Sequence, residues 1–202
     1  MKIREYINRI IFFLTVSDIF TWGTIAIITP FMAIFLSQKF GDQTIFYVGV
    51  ATSCYYISRA VFQIPIGIFS DKLHHDKDEI IILSLGCFIM GIGYILIPFI
   101  YEPWQYFLIM AFIGFGASMN LNSWRKLFSA NLDRKHEGVG FGFYETIMSF
   151  ATAIICIVGG YFSSLSYMAF EIVLIVFGVA IILGGLVSGS IFFMKNRKSK
   201  NL

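Results

Sequence analysis

The chain has 202 residues, of which 57% are hydrophobic and only 13% charged, with a formal net charge of +3. Soluble domains run near half apolar and about a quarter charged, so this composition excludes an ordinary soluble domain. The expected surroundings are a lipid bilayer, with no nucleic-acid partner.

A helix crossing bilayer hydrocarbon needs about 20 apolar residues. Six runs reach that length, at roughly 11–37, 44–70, 79–101, 103–127, 138–163 and 170–194, and they use nearly the whole chain. The expected fold is therefore all-α, a single membrane domain over residues 1–202 with six transmembrane helices. A basic N-terminal stretch precedes the first run, as in a signal peptide. That run has no small-residue cleavage pattern and reads as a retained span. The most polar passage of the first hundred residues, GIFSDKLHHDKDE from Gly67 to Glu79, falls between spans two and three and reads as a turn at the membrane surface. It holds His74 and His75 beside Asp76. No third or fourth ligand is suggested, so no metal and no other cofactor is expected. Cys54, Cys87 and Cys156 lie in different spans without ligand spacing and read as small buried hydrophobes.

Basic residues set the orientation. Lys2, Arg4, Arg9, Lys72, Lys77, Arg125, Lys126, Arg134, Lys135, Lys195, Arg197, Lys198 and Lys200 fall on one side of six alternating spans; the other side holds Lys39, and Arg59 lies inside span two. A multi-pass protein of the cell inner (plasma) membrane with both termini cytoplasmic is expected. Trp104 then sits at the outer interface and Trp124 near the inner one.

The chain also overlays itself at an offset of 160 − 67 = 93 residues. Val48–Ser70 aligns with Phe141–Ser163 without a gap, with six identities: Gly49/Gly142, Ala60/Ala153, Ile64/Ile157, Gly67/Gly160, Phe69/Phe162 and Ser70/Ser163. The same register pairs Gly23 with Gly116 and Gly91 with Gly184. A three-span unit used twice, over about 11–101 and 103–194, makes an inverted repeat, because an odd number of crossings reverses the second copy.

These residues carry a family resemblance. Gly67-IFSD-Lys72 resembles the Gly-x-x-x-Asp-Arg/Lys loop motif of the major facilitator superfamily. Residues 122–162 resemble its stretch from span four through span five, and Thr29-Pro30 its proline-bearing first span. The resemblance covers the chain as one six-span half of the usual twelve-span protein. It implies secondary transport, with spans one and four lining a cavity and the motif's Asp71, flanked by Gly67 and Lys72, facing the start of a helix in another half. The sequence departs from the pattern at Leu73–Asp76, where basic residues are usual, and at Met110, where an arginine is expected. Ile155-Cys156 replaces a Gly-Pro pair. The resemblance thus implies a transporter without implying proton-coupled antiport.

Three ionisable residues lie within spans, where charge is costly and marks a cavity or a partner: Asp18, Arg59 and Glu145. Arg59 lies about 16 Å from the cytoplasmic end of span two, close to the midplane. It reads either as meeting an anionic substrate group near Trp22 or as half of a structural pair. Asp18 and Glu145 read as coupling groups or as partners of Arg125. Asn120 and Asn122 turn about 200° apart on span four, so at least one is expected to bond another helix. Tyr56 and Gln63 join Trp22, Arg59 and Asn120 as substrate-site candidates. Gly67, Asp71, Lys72 and Arg125, with Asp18 and Glu145, are the coupling or gating candidates. The glycines at 86, 91, 93, 184, 185 and 189 read as helix-packing positions.

The expected function is secondary transport of a small molecule by alternating access, as a parallel homodimer of half-size subunits. The alternative is an accessory membrane protein or fragment that needs another membrane partner. An enzyme is not expected: Gly114–Asn120 in span four lacks the Gly-x-Ser-Gly of an intramembrane protease, and the span has no His.

Overall fold

The computed structural model describes residues 8–72, 76–133 and 135–194, all but short connections in helices. His74, His75 and Arg134, together with the basic residues before Asn8 and after Met194, lie outside the described residues. The helices are α1 (Arg9–Asp18), a widened π turn (Ile19–Gly23), α2 (Thr24–Phe40), a 3-10 turn (Gly41–Gln43), α3 (Thr44–Lys72), α4 (Asp76–Leu96), a 3-10 turn (Ile97–Phe99), α5 (Pro103–Asn131), α6 (Glu137–Leu165) and α7 (Tyr167–Met194).

Five helical stretches among the described residues are long and apolar enough to cross a membrane, where the sequence reading expects six. The difference has a local cause. Residues 41–43 stay helical, so the first two expected spans run on as one stretch, Arg9–Lys72, of 64 residues. Laid straight, it would be about 96 Å long, three times the hydrocarbon thickness. It is broken at Gly41, whose φ of 64° ends α2. That backbone conformation suits glycine because no Cβ opposes it.

Other ends follow ordinary capping chemistry. Pro103 opens α5 at a position that needs no N–H, and Gln105 Oε1 accepts from the backbone N–H of Tyr101 (2.7 Å) and Glu102 (3.0 Å). Ser166 Oγ accepts from Ala169 N (3.1 Å) at the start of α7. In the α5–α6 turn, Asp133 Oδ2 lies 2.9 Å from His136 Nδ1, a contact that holds the Asp133 carboxyl below its usual range.

The most extensive packing joins α3 to α5, α5 to α4 and α4 to α7; α1, the π turn and α2 lie against α7 and α6. The core that results is made of fully buried Leu14, Leu83, Cys87, Met90, Ile113, Ala117, Leu174 and Ile181. Small residues set its spacing. A Cβ on Gly86 would stand 2.7 Å from Gly116 O, and one on Gly91 2.6 Å from Gly178 O, so α4 touches α5 and α7 backbone to backbone.

Two helices are left uncovered. Only 6% of the most apolar window of α6 is buried, against 61% for the stretch containing α4. The outer face of α3 is exposed through Ile57, Val61, Ile64 and Ile68. Gly49, Gly138, Gly142 and Gly160 have nothing within 4 Å of an added Cβ, so these glycines of α3 and α6 face open space.

Candidate functional site

The site begins at the π turn. A widened turn leaves helix carbonyls without their usual partners, and such turns recur at functional sites. Thr21 Oγ1 donates to Ser17 O (2.9 Å) and Thr24 Oγ1 to Phe20 O (2.6 Å), each one turn back. Ser17 Oγ donates to Gly184 O at 2.8 Å and fixes the turn against α7. The turn carries Trp22 and is preceded by Asp18.

Trp22 Nε1 donates to Asn120 Oδ1 at 3.0 Å, and Asn120 Nδ2 donates to Cys87 Sγ at 3.2 Å. Asn120 is fully buried. The structure therefore brings together Trp22 and Asn120 from the sequence-derived set, on α5 against the first helix. It also enlists Cys87, read from the sequence only as a buried hydrophobe. Asn122 turns the other way. Its Nδ2 donates to Gln63 O (2.8 Å), and Gln63 Nε2 donates to Asn122 Oδ1 (2.5 Å), tying α5 to α3. Both asparagines thus bond another helix. Gln63 Oε1 is buried without a hydrogen-bond partner.

The candidate charges are dispersed. Arg59 is half-buried on α3 beside the Tyr55 hydroxyl one turn back, and no carboxylate of the described residues lies within ion-pair distance. Tyr56 is 58% exposed, and its ring meets that of Tyr55. Asp18 and Glu145 form no ion pair with Arg125, so of the two alternatives read from the sequence the Arg125 pairing is set aside. Asp18 is 2% exposed and accepts from Tyr144 Oη at 2.6 Å, while its Oδ1 has no partner. Glu145 is exposed on α6, and Arg125 is exposed on α5. Packing explains the difference. Trp124 stacks on Phe128 (4.6 Å, 20°) and lies 4.9 Å from Tyr144, and this aromatic cluster turns Tyr144 toward Asp18. Trp124, read as an interface anchor, is half-buried in that cluster.

At the opposite end of α3 an ionic cluster closes the motif region. Lys126 Nζ on α5 meets Glu79 Oε1 at 2.7 Å and Asp71 Oδ1 at 3.2 Å, and donates to Ser70 O at 3.1 Å. Ser70 Oγ donates to Glu79. The cation absent after Lys72 in sequence is supplied by Lys126 in space. Glu79 is buried, whereas the Asp71 side chain stays 78% exposed and Lys72 is exposed. Gly67 leaves 3.9 Å to Asn122 Nδ2, an ordinary contact. Sequence reasoning missed Glu79 and Lys126 as partners because they stand 47 residues apart with no local pattern joining them.

Long apolar helices, small residues at their contacts and polar side chains bonded across the interior define a multi-pass membrane protein. The sequence profile of the Major Facilitator Superfamily matches residues 11–202, and the chain belongs to that family. A 72-residue stretch is 39% identical to an uncharacterized transporter of Buchnera aphidicola subsp. Acyrthosiphon pisum (strain APS), covering 36% of this chain and 17% of that relative's length.

Proposed function

We propose that the chain is a secondary transporter of a small molecule, working by alternating access. The 64-residue stretch is read as two crossings folded at Gly41, giving six spans in two inverted three-helix repeats with both termini in the cytoplasm. The observation that carries this reading is the buried polar seam: Trp22, Asn120 and Cys87 bonded at the π turn, with Asp18 Oδ1 and Gln63 Oε1 left as acceptors without donors. Polar groups inside a membrane are costly and are retained where they serve a pathway. Trp22, Asn120 and Gln63 offer ring, amide and carbonyl contacts to a substrate. Arg59, with no carboxylate partner among the described residues, supplies a fixed positive charge for an anionic group, and Asp18 is the candidate for a coupling proton.

A second half comes, in this proposal, from a second copy in the same orientation. Glu145 supports it. A carboxylate facing lipid is costly, about 2.5–3.5 kcal/mol at a helix centre and less toward the end where Glu145 stands, eight residues into α6, so the uncovered face of α6 calls for protein or water. Tyr56 then meets the substrate only where the copies enclose it. The same bare face also suits the second reading, an accessory protein whose other half is a different membrane partner.

The test is reconstitution of the full chain in proteoliposomes and a counterflow screen across small anions, amines and sugars. The expected outcome is exchange of at least one class, lowered at least tenfold by Asn120→Ala with the protein still folded. Reconstituted, folded protein that exchanges nothing, alone or after cross-linking, would move the conclusion to the accessory reading.

A further inference from the structure

At the end of the bundle away from the Lys126 cluster, a cavity of about 530 Å³ opens between the end of α2, the 97–101 segment and the first two turns of α7. Two opposite charges stand in it. Lys39 Nζ lies 3.9 Å from Glu171 Oε1, with the two side chains 17% and 30% exposed. That separation is beyond hydrogen-bond reach. Lys39 is held by backbone carbonyls: it donates to Pro98 O and to Ile100 O (3.2 Å), which leaves one of its three N–H bonds free. Its position is braced by the Phe35 ring below it (5.6 Å), itself stacked on Tyr167 and Phe170 at 4.9 Å. Glu171 lies one turn from Tyr167, which lines the same cavity.

Beneath the charges the wall is apolar. Met168, Ile172 and Ile175 descend α7 at four- and three-residue spacing on one face, 70% and 55% exposed at the first two. A soluble zwitterion has no use for such a track, whereas an acyl chain does. Tyr101, 82% exposed, and Trp104, 57% exposed, mark this level as a membrane–water interface.

From this juxtaposition we propose that the Lys39–Glu171 cavity is a binding site for a phospholipid with a zwitterionic, primary-amine headgroup. The phosphate takes the free N–H of Lys39, the ammonium donates to Glu171, and one acyl chain lies along Met168, Ile172 and Ile175. Charge-assisted hydrogen bonds to both ends of the headgroup select it over a quaternary-amine headgroup, which has no N–H to donate, and over an anionic one, which Glu171 repels. The leaflet follows from the proposed orientation; the site itself does not depend on it.

The experiment uses the full chain in nanodiscs of phosphatidylcholine doped with phosphatidylethanolamine or phosphatidylglycerol, with lipid retention read by native mass spectrometry. Phosphatidylethanolamine should be retained at least fivefold over the other two. Glu171→Gln should reduce that preference to within twofold, with an unchanged melting temperature in pure phosphatidylcholine. Ile172→Trp should lower retention of every lipid. An independent measurement needs no variant: a headgroup-photoreactive phosphatidylethanolamine should label the peptide spanning 167–175. Equal retention of the three lipids, an unchanged preference in Glu171→Gln, or labelling confined to other peptides overturns the proposal. Soluble phosphoethanolamine raising the melting temperature as much as the lipid would overturn the lipid source and leave a free zwitterion as the ligand.

Discussion

At the residue scale the chain shows how one cation can serve two carboxylates. Lys126 bridges Glu79, which is buried, and Asp71, which is exposed. The buried contact carries the stability and the exposed one is weak. Lys126→Met should therefore destabilise, by less than the roughly 3–5 kcal/mol of a fully buried pair, because Lys126 is 39% exposed and Glu79 loses its counter-charge but keeps the Ser70 hydroxyl as a donor. The double variant Lys126→Met with Glu79→Leu should recover most of that loss, since neither charge then remains. Denaturation in detergent, monitored by helicity, decides it; a double variant no more stable than the single would place the stability elsewhere. Asp18 allows a different experiment. Asp18→Asn keeps an oxygen acceptor for Tyr144, so the fold should survive. If Asp18 carries a coupling proton, the variant should lose uptake driven by a pH gradient while keeping counterflow. Retained pH-driven uptake assigns the proton to another group.

Elements in this protein are placed by what they cannot tolerate. α4 approaches α5 so closely that a methyl group on Gly86 would meet backbone atoms of both Asn120 and Gly116 at 2.7 Å. Backbone atoms cannot swing aside as a flexible side chain can. Gly86→Val should cost at least the 1–3 kcal/mol of ordinary overpacking and separate α4 from α5, breaking the Asn120–Cys87 bond. Loss of folded yield in detergent-solubility chromatography is the expected readout. Gly142 on α6 is the contrast, with nothing within 4 Å. Gly142→Val should change the stability of the isolated chain by less than about 0.5 kcal/mol, as for surface substitutions. In the membrane it should still impair transport if another protein surface docks there. A variant with full transport would leave that face to lipid.

On the scale of the whole molecule, the uncovered sides of α3 and α6 are the central fact. Asp71, in the last turn of α3, remains exposed beside Lys126, and Gly138 and Gly142 at the start of α6 have room for a neighbour, whereas Gly140 packs on Leu132 of its own chain. In a parallel dimer each Asp71 would face the partner's α6 start, where the helix dipole favours a carboxylate by about 0.3–2 kcal/mol. Two such contacts bias an inward–outward equilibrium without locking it. Cysteines at Asp71 and Gly138, which faces open space, should cross-link between subunits in lipid, giving a product of twice the chain mass. A cross-link only within one chain, or a strictly monomeric chain in lipid, would remove the dimer and leave the partner-dependent reading.

Composition and run length by themselves determined that this is an all-helical membrane protein, because a bilayer demands about 20 apolar residues per crossing and admits few charges. Gly67, Asp71 and Lys72 carried the family resemblance because a loop motif is local in sequence. That at least one of Asn120 and Asn122 bonds another helix was legible from helical geometry; that both do, and to which partners, was not. Partnerships were not. That Asp18 takes Tyr144 rather than Arg125, that Lys126 serves Glu79, and that Lys39 and Glu171 flank one cavity are contacts between residues 126, 47 and 132 positions apart. No periodicity links such positions. Tertiary packing decided them, by fixing which helix faces meet and by turning each long side chain toward the neighbour that best satisfies it where water is absent.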